Sequence, residues 1–217
     1  MKTVAKVKFE GNLKEAILKA VSFLGGFEKF IQKGDVVLVK PNFNTADPFP
    51  ASTDFEFLKA LIELIYQREA KLVMVGESST MSLNTRKIME KLGIFELEKL
   101  EIPARIYVFE EWKWIKKEVP KGKYLKSVSL TEILERADKI IFVPCLKTHK
   151  YAKYTGALKL AVGLMKPIER LKLHMLHLQE KIAELNTLFK PDLIIMDARK
   201  CFINRGPAEG EVREPNL

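Results

Sequence analysis

Cysteine is scarce: Cys145 and Cys201 are the only two in 217 residues. Two thiols cannot build a disulfide framework, nor supply the four thiolates of an iron–sulfur cluster. No apolar run approaches the ~18 residues that span a bilayer. The start, MKTVAKVKFEG, lacks the apolar core of a signal peptide. The expectation is a cytoplasmic protein with no intrinsic iron–sulfur cluster and no membrane partner. Glutamine occurs only at 32, 67 and 179, while Lys and Glu dominate a charged fraction of 30%. Heat-adapted proteins favour that balance. G-x-G-x-x-G, G-x-x-x-x-G-K-[ST], G-x-S-x-G and H-E-x-x-H are all absent, which disfavours the standard nucleotide and hydrolase sites.

What is present is apolar and basic. A 47% apolar content suffices for a packed core. Lys+Arg 37 against Asp+Glu 28 leaves a net charge of +9. Such an excess favours anionic partners. Part of it can equally serve surface stability.

Periodicity gives the architecture. Val4 to Phe9 alternates like a half-buried strand. Asn12 and Glu15 open a helix that Gly25-Gly26 weakens or ends. The runs DVVLVK (35–40), KLVMVG (71–76), KIIFVP (139–144) and DLIIMD (192–197) read as strands covered on both faces. Thr53 and Glu56 form a capping box for a helix, and TRKIMEKLGIFELEKL continues as another. Repeated strand–helix order predicts right-handed crossovers on a parallel sheet. Residues 104–128 interrupt it as a small β-hairpin insertion, and Ser129 with Glu132 caps a short helix. A single long helix is expected over 167–189, with Ile168, Leu171, Met175, Leu178, Ile182, Leu185 and Phe189 as its buried stripe. The fold class is α/β, one domain over 1–217, a mostly parallel sheet with flanking helices.

In such sheets ligands sit beyond the carboxyl ends of the strands. The strand ends offer Lys40 and Asn42, then Glu77, Ser78, Ser79 and Thr80, then Lys147 and His149, then Asp197 and Arg205. Lys147 can hold a carboxylate or phosphate, and His149 can act as general acid or base. Thr155 and Lys159 open the next helix as an anion cradle, or as an ordinary cap. Arg170, His174, His177 and Lys181 form a ridge. His174 and His177 have metal-ligand spacing, but the neighbouring cations oppose a divalent ion. Asp197 can orient His149, bind metal, or cap. Cys145 reads as a small buried residue, and Trp112 and Trp114 as core or a covered patch.

VKPNFN (39–44), VPCLKTH (143–149), TGALKLAVG (155–163), Arg170 with His174, PDLIIMDA (191–198) and GPAEG (206–210) occur in that order. As a set they resemble the domain of unknown function 362 family. The resemblance implies an α/β domain of bacteria and archaea that often accompanies iron–sulfur modules. An iron–sulfur protein partner is therefore implied, since two cysteines supply no cluster. Members continue past G-P-x-x-G, so the resemblance also implies a chain shortened at its C-terminus. The functional expectation is an enzyme or binding protein for an anionic small molecule. The alternatives are a nucleic-acid-binding module and a redox accessory domain.

Overall fold

A computed structural model of the chain describes residues 3–149 and 153–217. Residues 150–152, inside the basic run after Lys147, lie outside the described residues. The core is a parallel sheet in the order β3-β2-β1-β6-β9. Its strands are β1 (Val36–Lys40), β2 (Leu72–Glu77), β3 (Arg105–Val108), β6 (Lys139–Phe142) and β9 (Leu193–Ile194). Between them come α1 (Leu13–Ser22), α2 (Phe55–Tyr66), α3 (Thr85–Lys91) and a separate antiparallel hairpin of β4 (Trp114–Glu118) and β5 (Ser127–Thr131). The parallel sheet, the flanking helices and the hairpin agree with the sequence pattern. The hairpin is smaller than expected, because Arg105–Val108 pairs with β2 as a sheet edge.

Alternation along β1 builds two cores. Val37 and Val39 face the layer of α1, α2 and α3. Leu38 points oppositely, toward Phe109, Phe142, Leu160 and Leu164. A side-chain period of two forces that division.

A second sheet was not legible in the sequence. Its order is β11-β10-β7-β8, made of β7 (Cys145–His149), β8 (Lys153–Thr155), β10 (Asp197–Phe202) and β11 (Val212–Arg213). The chain leaves β6 at Val143-Pro144 and enters β7 at once, so Lys147 and His149 lie within a strand rather than in a loop. Asp197 likewise begins β10.

Four further expectations need correcting. Val4 to Phe9 pairs in no sheet; Phe9 N–H donates to the Asn216 carbonyl at 2.7 Å. The cap of α2 is Asp54, which accepts from Phe57 N–H, while Thr53 Oγ1 accepts from Asn42 N–H. Thr131, not Ser129, caps the 3-10 turn Glu132–Arg136. The long helix is two, α5 (Glu169–Met175) and α6 (Leu178–Leu185), broken at His177, whose φ is 57°. Its stripe splits accordingly. Ile182 and Leu185 are buried, but Ile168, Leu171 and Met175 are exposed. Between β8 and α5 lies the short α4 (Ala157–Leu160), continued by a 3-10 turn, Ala161–Leu164.

Candidate functional site

Adjacent parallel strands β1 and β2 bring their final residues together. Lys40 Nζ lies 2.7 Å from Glu77 Oε1, and both side chains are sealed from solvent. Lys40 also donates to the Pro41 carbonyl at 2.8 Å. Glu77 accepts from Phe43 N–H at 2.9 Å and from Ser78 N–H at 2.8 Å. Gly163 covers the pair; a Cβ there would sit 2.6 Å from Glu77 Oε1.

Arg170 closes this layer from α5. Its guanidinium donates to the carbonyls of Met165, Ser78, Ser79 and Gly163 and to Ser78 Oγ. A guanidinium has five N–H donors, so these acceptors occupy all of them. Ser78 Oγ and Thr85 Oγ1 each donate to Glu110 Oε1 at 2.7 Å. Ser79 Oγ donates to the Phe43 carbonyl at 2.6 Å. Lys40, Arg170, Ser78 and Ser79 were expected to grip a ligand. They are buried and hold the loops after β1 and β2 through these contacts.

A second, outer layer lies between β7, α4 and α5. Lys147 is 4% exposed and donates to the Ala51 carbonyl. That carbonyl also accepts from Asn42 Nδ2 at 3.1 Å, so Asn42 too holds a loop. Thr155 stands opposite Lys147 across β7 and β8, while the cap position of α4 belongs to Gly156. Lys159 is half-buried and makes no hydrogen bond or ion pair among the described residues. Burial, then the charges of Arg170 and Lys147, brings its pKa down to about 8. Burial also lowers that of Lys147. His149 is held near 4, by burial first and then by Lys159, His174 and Lys147. It is therefore a neutral imidazole at pH 7. His174 Nδ1 lies 2.7 Å from the Arg170 carbonyl, and burial lowers its pKa as well. A ring nitrogen beside a carbonyl must carry the proton, which leaves Nε2 as the acceptor.

Two predicted residues lie elsewhere. Asp197 pairs opposite Cys145, at the far end of β7 from His149, and is held by Arg199 at 2.7 Å. Arg205 is exposed in the turn after β10 and makes no ion pair among the described residues. Cys145 is buried, and burial pushes its thiol pKa up, which suits packing rather than nucleophilic attack. His177 sits at the helix break, stacked 4.1 Å from Tyr124, so it shares no helix face with His174. Among the described residues no group of three His, Cys, Asp or Glu could hold a metal.

Two acidic residues were given no role from the sequence. Glu77 stands directly at the end of an apolar strand, a visible signal. Glu110 follows Phe109 in an acidic pair and gives none.

The fold and site define a parallel α/β protein with a buried polar cluster, rich in cations, at the carboxyl ends of its sheet. Residues 37–217 match the family described as domain of unknown function (DUF362), and the chain belongs to it. It is 26% identical over 216 residues to a thylakoid-associated protein of Synechocystis, covering 95% of this chain and 65% of that one. The chain thus spans about two thirds of that relative's length. A Thermotoga maritima crystal structure superposes with a TM-score of 0.52 at 15% identity, covering 84% of this chain and 48% of that one. The lactate racemase apoprotein of Thermoanaerobacterium thermosaccharolyticum superposes with a TM-score of 0.46 at 14% identity, over 77% and 40%. No helix among the described residues is long and apolar enough to cross a membrane.

Proposed function

We propose that the outer layer binds a small carboxylate or phosphate, gripped by Lys147 and Lys159. His149 and His174 present neutral imidazoles beside it. What carries this reading is the charge inventory. In the inner layer Lys40 and Arg170 are balanced by Glu77 and Glu110, which enter their electrostatic surroundings at close range. In the outer layer Lys147 and Lys159 have no carboxylate within ion-pair distance among the described residues. Glu77 and then Asp47 attract Lys147 from beyond contact distance, Asp47 from an exposed loop, and no carboxylate attracts Lys159. Two desolvated cations with no carboxylate in contact are costly unless an anion joins them.

His149 gives the site a chemical capacity beyond binding. A neutral imidazole is a proton acceptor, and adjacent cations stabilise the negative charge that proton removal creates. Proton transfer next to a bound carboxylate is the reaction class that fits.

Calorimetric titration of the protein with phosphate and with small dicarboxylates tests the binding. Lys159→Gln is expected to weaken it about tenfold or more, since a charge-assisted contact is worth ~1.5–3 kcal/mol. His149→Asn is expected to spare binding while abolishing any proton exchange at the ligand. Equal affinity in wild type and Lys159→Gln, or no binding at low salt, would refute the proposal.

A further inference from the structure

Helix α5 joins the site to the surface, and its outer face is left uncovered by the described residues. At about 100° per residue, Ile168, Leu171 and Met175 fall within about 60° of one another. Arg170 and Leu173 occupy the opposite side and are buried. The outer three are 62%, 46% and 74% exposed, and Leu176, next along the chain, is 71% exposed. These side chains protrude as a ridge rather than lining a groove.

The charge around the ridge is mainly basic; the exposed Glu180 of α6 lies 3.9 Å from His177. Lys166 and Lys172 are exposed beside it, and Lys181 Nζ donates to the Lys172 carbonyl at the C-terminal end of α5. Glu169, the acidic residue of α5, is turned away, accepting from Ser129 N–H at 2.8 Å and from Ser129 Oγ at 2.7 Å.

We propose that α5 seats the protein on an anionic lipid surface, with Ile168, Leu171, Met175 and Leu176 entering the headgroup boundary and Lys166, Lys172 and Lys181 meeting the lipid charge. A two-turn ridge is far smaller than the ~800 Å² per partner of a stable protein interface. A second copy would bring the lysines of two ridges together, which like charges oppose. An interfacial helix needs only a few inserted apolar side chains with flanking lysines. The proposal is independent of the anion site, since it uses the other face of α5.

Co-sedimentation of the 217-residue chain with vesicles tests it. Binding is expected to vesicles of equal parts phosphatidylglycerol and phosphatidylcholine, and to be about tenfold weaker on phosphatidylcholine alone. Leu171→Ser with Met175→Ser is expected to lower binding to the anionic vesicles about tenfold or more. Lys172→Glu is expected to lower it about fivefold. All three positions are exposed, so the thermal midpoint is expected to stay unchanged, which separates lost docking from lost folding. Three results would overturn the proposal: no binding to anionic vesicles at low salt, binding that Leu171→Ser with Met175→Ser leaves intact, or a solution dimer that those substitutions dissolve.

Discussion

Lys40 shows what burial asks of a single charge. It is fully enclosed, and Glu77 is its counter-ion. Lys40→Met would leave the Glu77 carboxylate buried and unpaired, which costs about 3–5 kcal/mol. Urea unfolding is expected to show that loss, and Lys40→Met with Glu77→Gln together to recover much of it. Lys159 makes a different prediction, because its folded-state pKa of about 8 lies below lysine's ordinary 10.5. Between those values the unfolded chain binds more protons, so this group makes stability rise with pH across that window. Anion affinity runs the other way, falling as Lys159 loses its proton above pH 8. Urea midpoints and phosphate titrations at about pH 7 and about pH 9.5 are expected to diverge in that sense in wild type. In Lys159→Gln, Lys159's contribution to both trends is expected to vanish. The sequence showed that Lys147 and His149 sit near a strand end. It did not show that Arg170 and Lys40 were already satisfied, because hydrogen-bond saturation depends on loops distant in the chain.

At the scale of elements, close approach matters most. The 3-10 turn Ala161–Leu164 lies against the ends of β1 and β2, and Gly163 is the contact. A methyl group there would meet Lys40 Nζ at 2.9 Å as well as the Glu77 carboxylate. Gly163→Ala is therefore expected to destabilise by about 1–3 kcal/mol through overpacking, read as a lower urea midpoint. The helix pair α5–α6 marks where periodicity misleads. Apolar spacing of three and four runs unbroken from Ile168 to Phe189, yet the chain turns at His177. Spacing describes which residues can share a face, not whether the helix persists or which face is covered. Arg170 gains six hydrogen-bond contacts by turning inward, and that rotates Ile168, Leu171 and Met175 out. A comparable ambiguity moved the α2 cap from Thr53 to Asp54, since both types can cap and Thr53 Oγ1 was claimed by Asn42 N–H.

For the whole molecule, an anion that binds only the folded state must stabilise it. At about one hundred times its dissociation constant the gain is ~2.7 kcal/mol. Thermal unfolding in phosphate is expected to give a higher Tm than in chloride at equal ionic strength, and Lys159→Gln to lose most of that difference. The sequence by itself determined the parallel sheet, because buried strands flanked by amphipathic helices leave that pattern in any order-preserving reading. It also determined that the basic residues after Pro144 lie near the carboxyl ends of the strands. Only the tertiary structure decided that β7 opens a second sheet, with β8 and β10 beside it, and that Lys40 has a carboxylate in contact while Lys147 and Lys159 have none among the described residues. The physical reason is that strand periodicity is local, whereas desolvation and charge balance are set by neighbours brought together from across the chain.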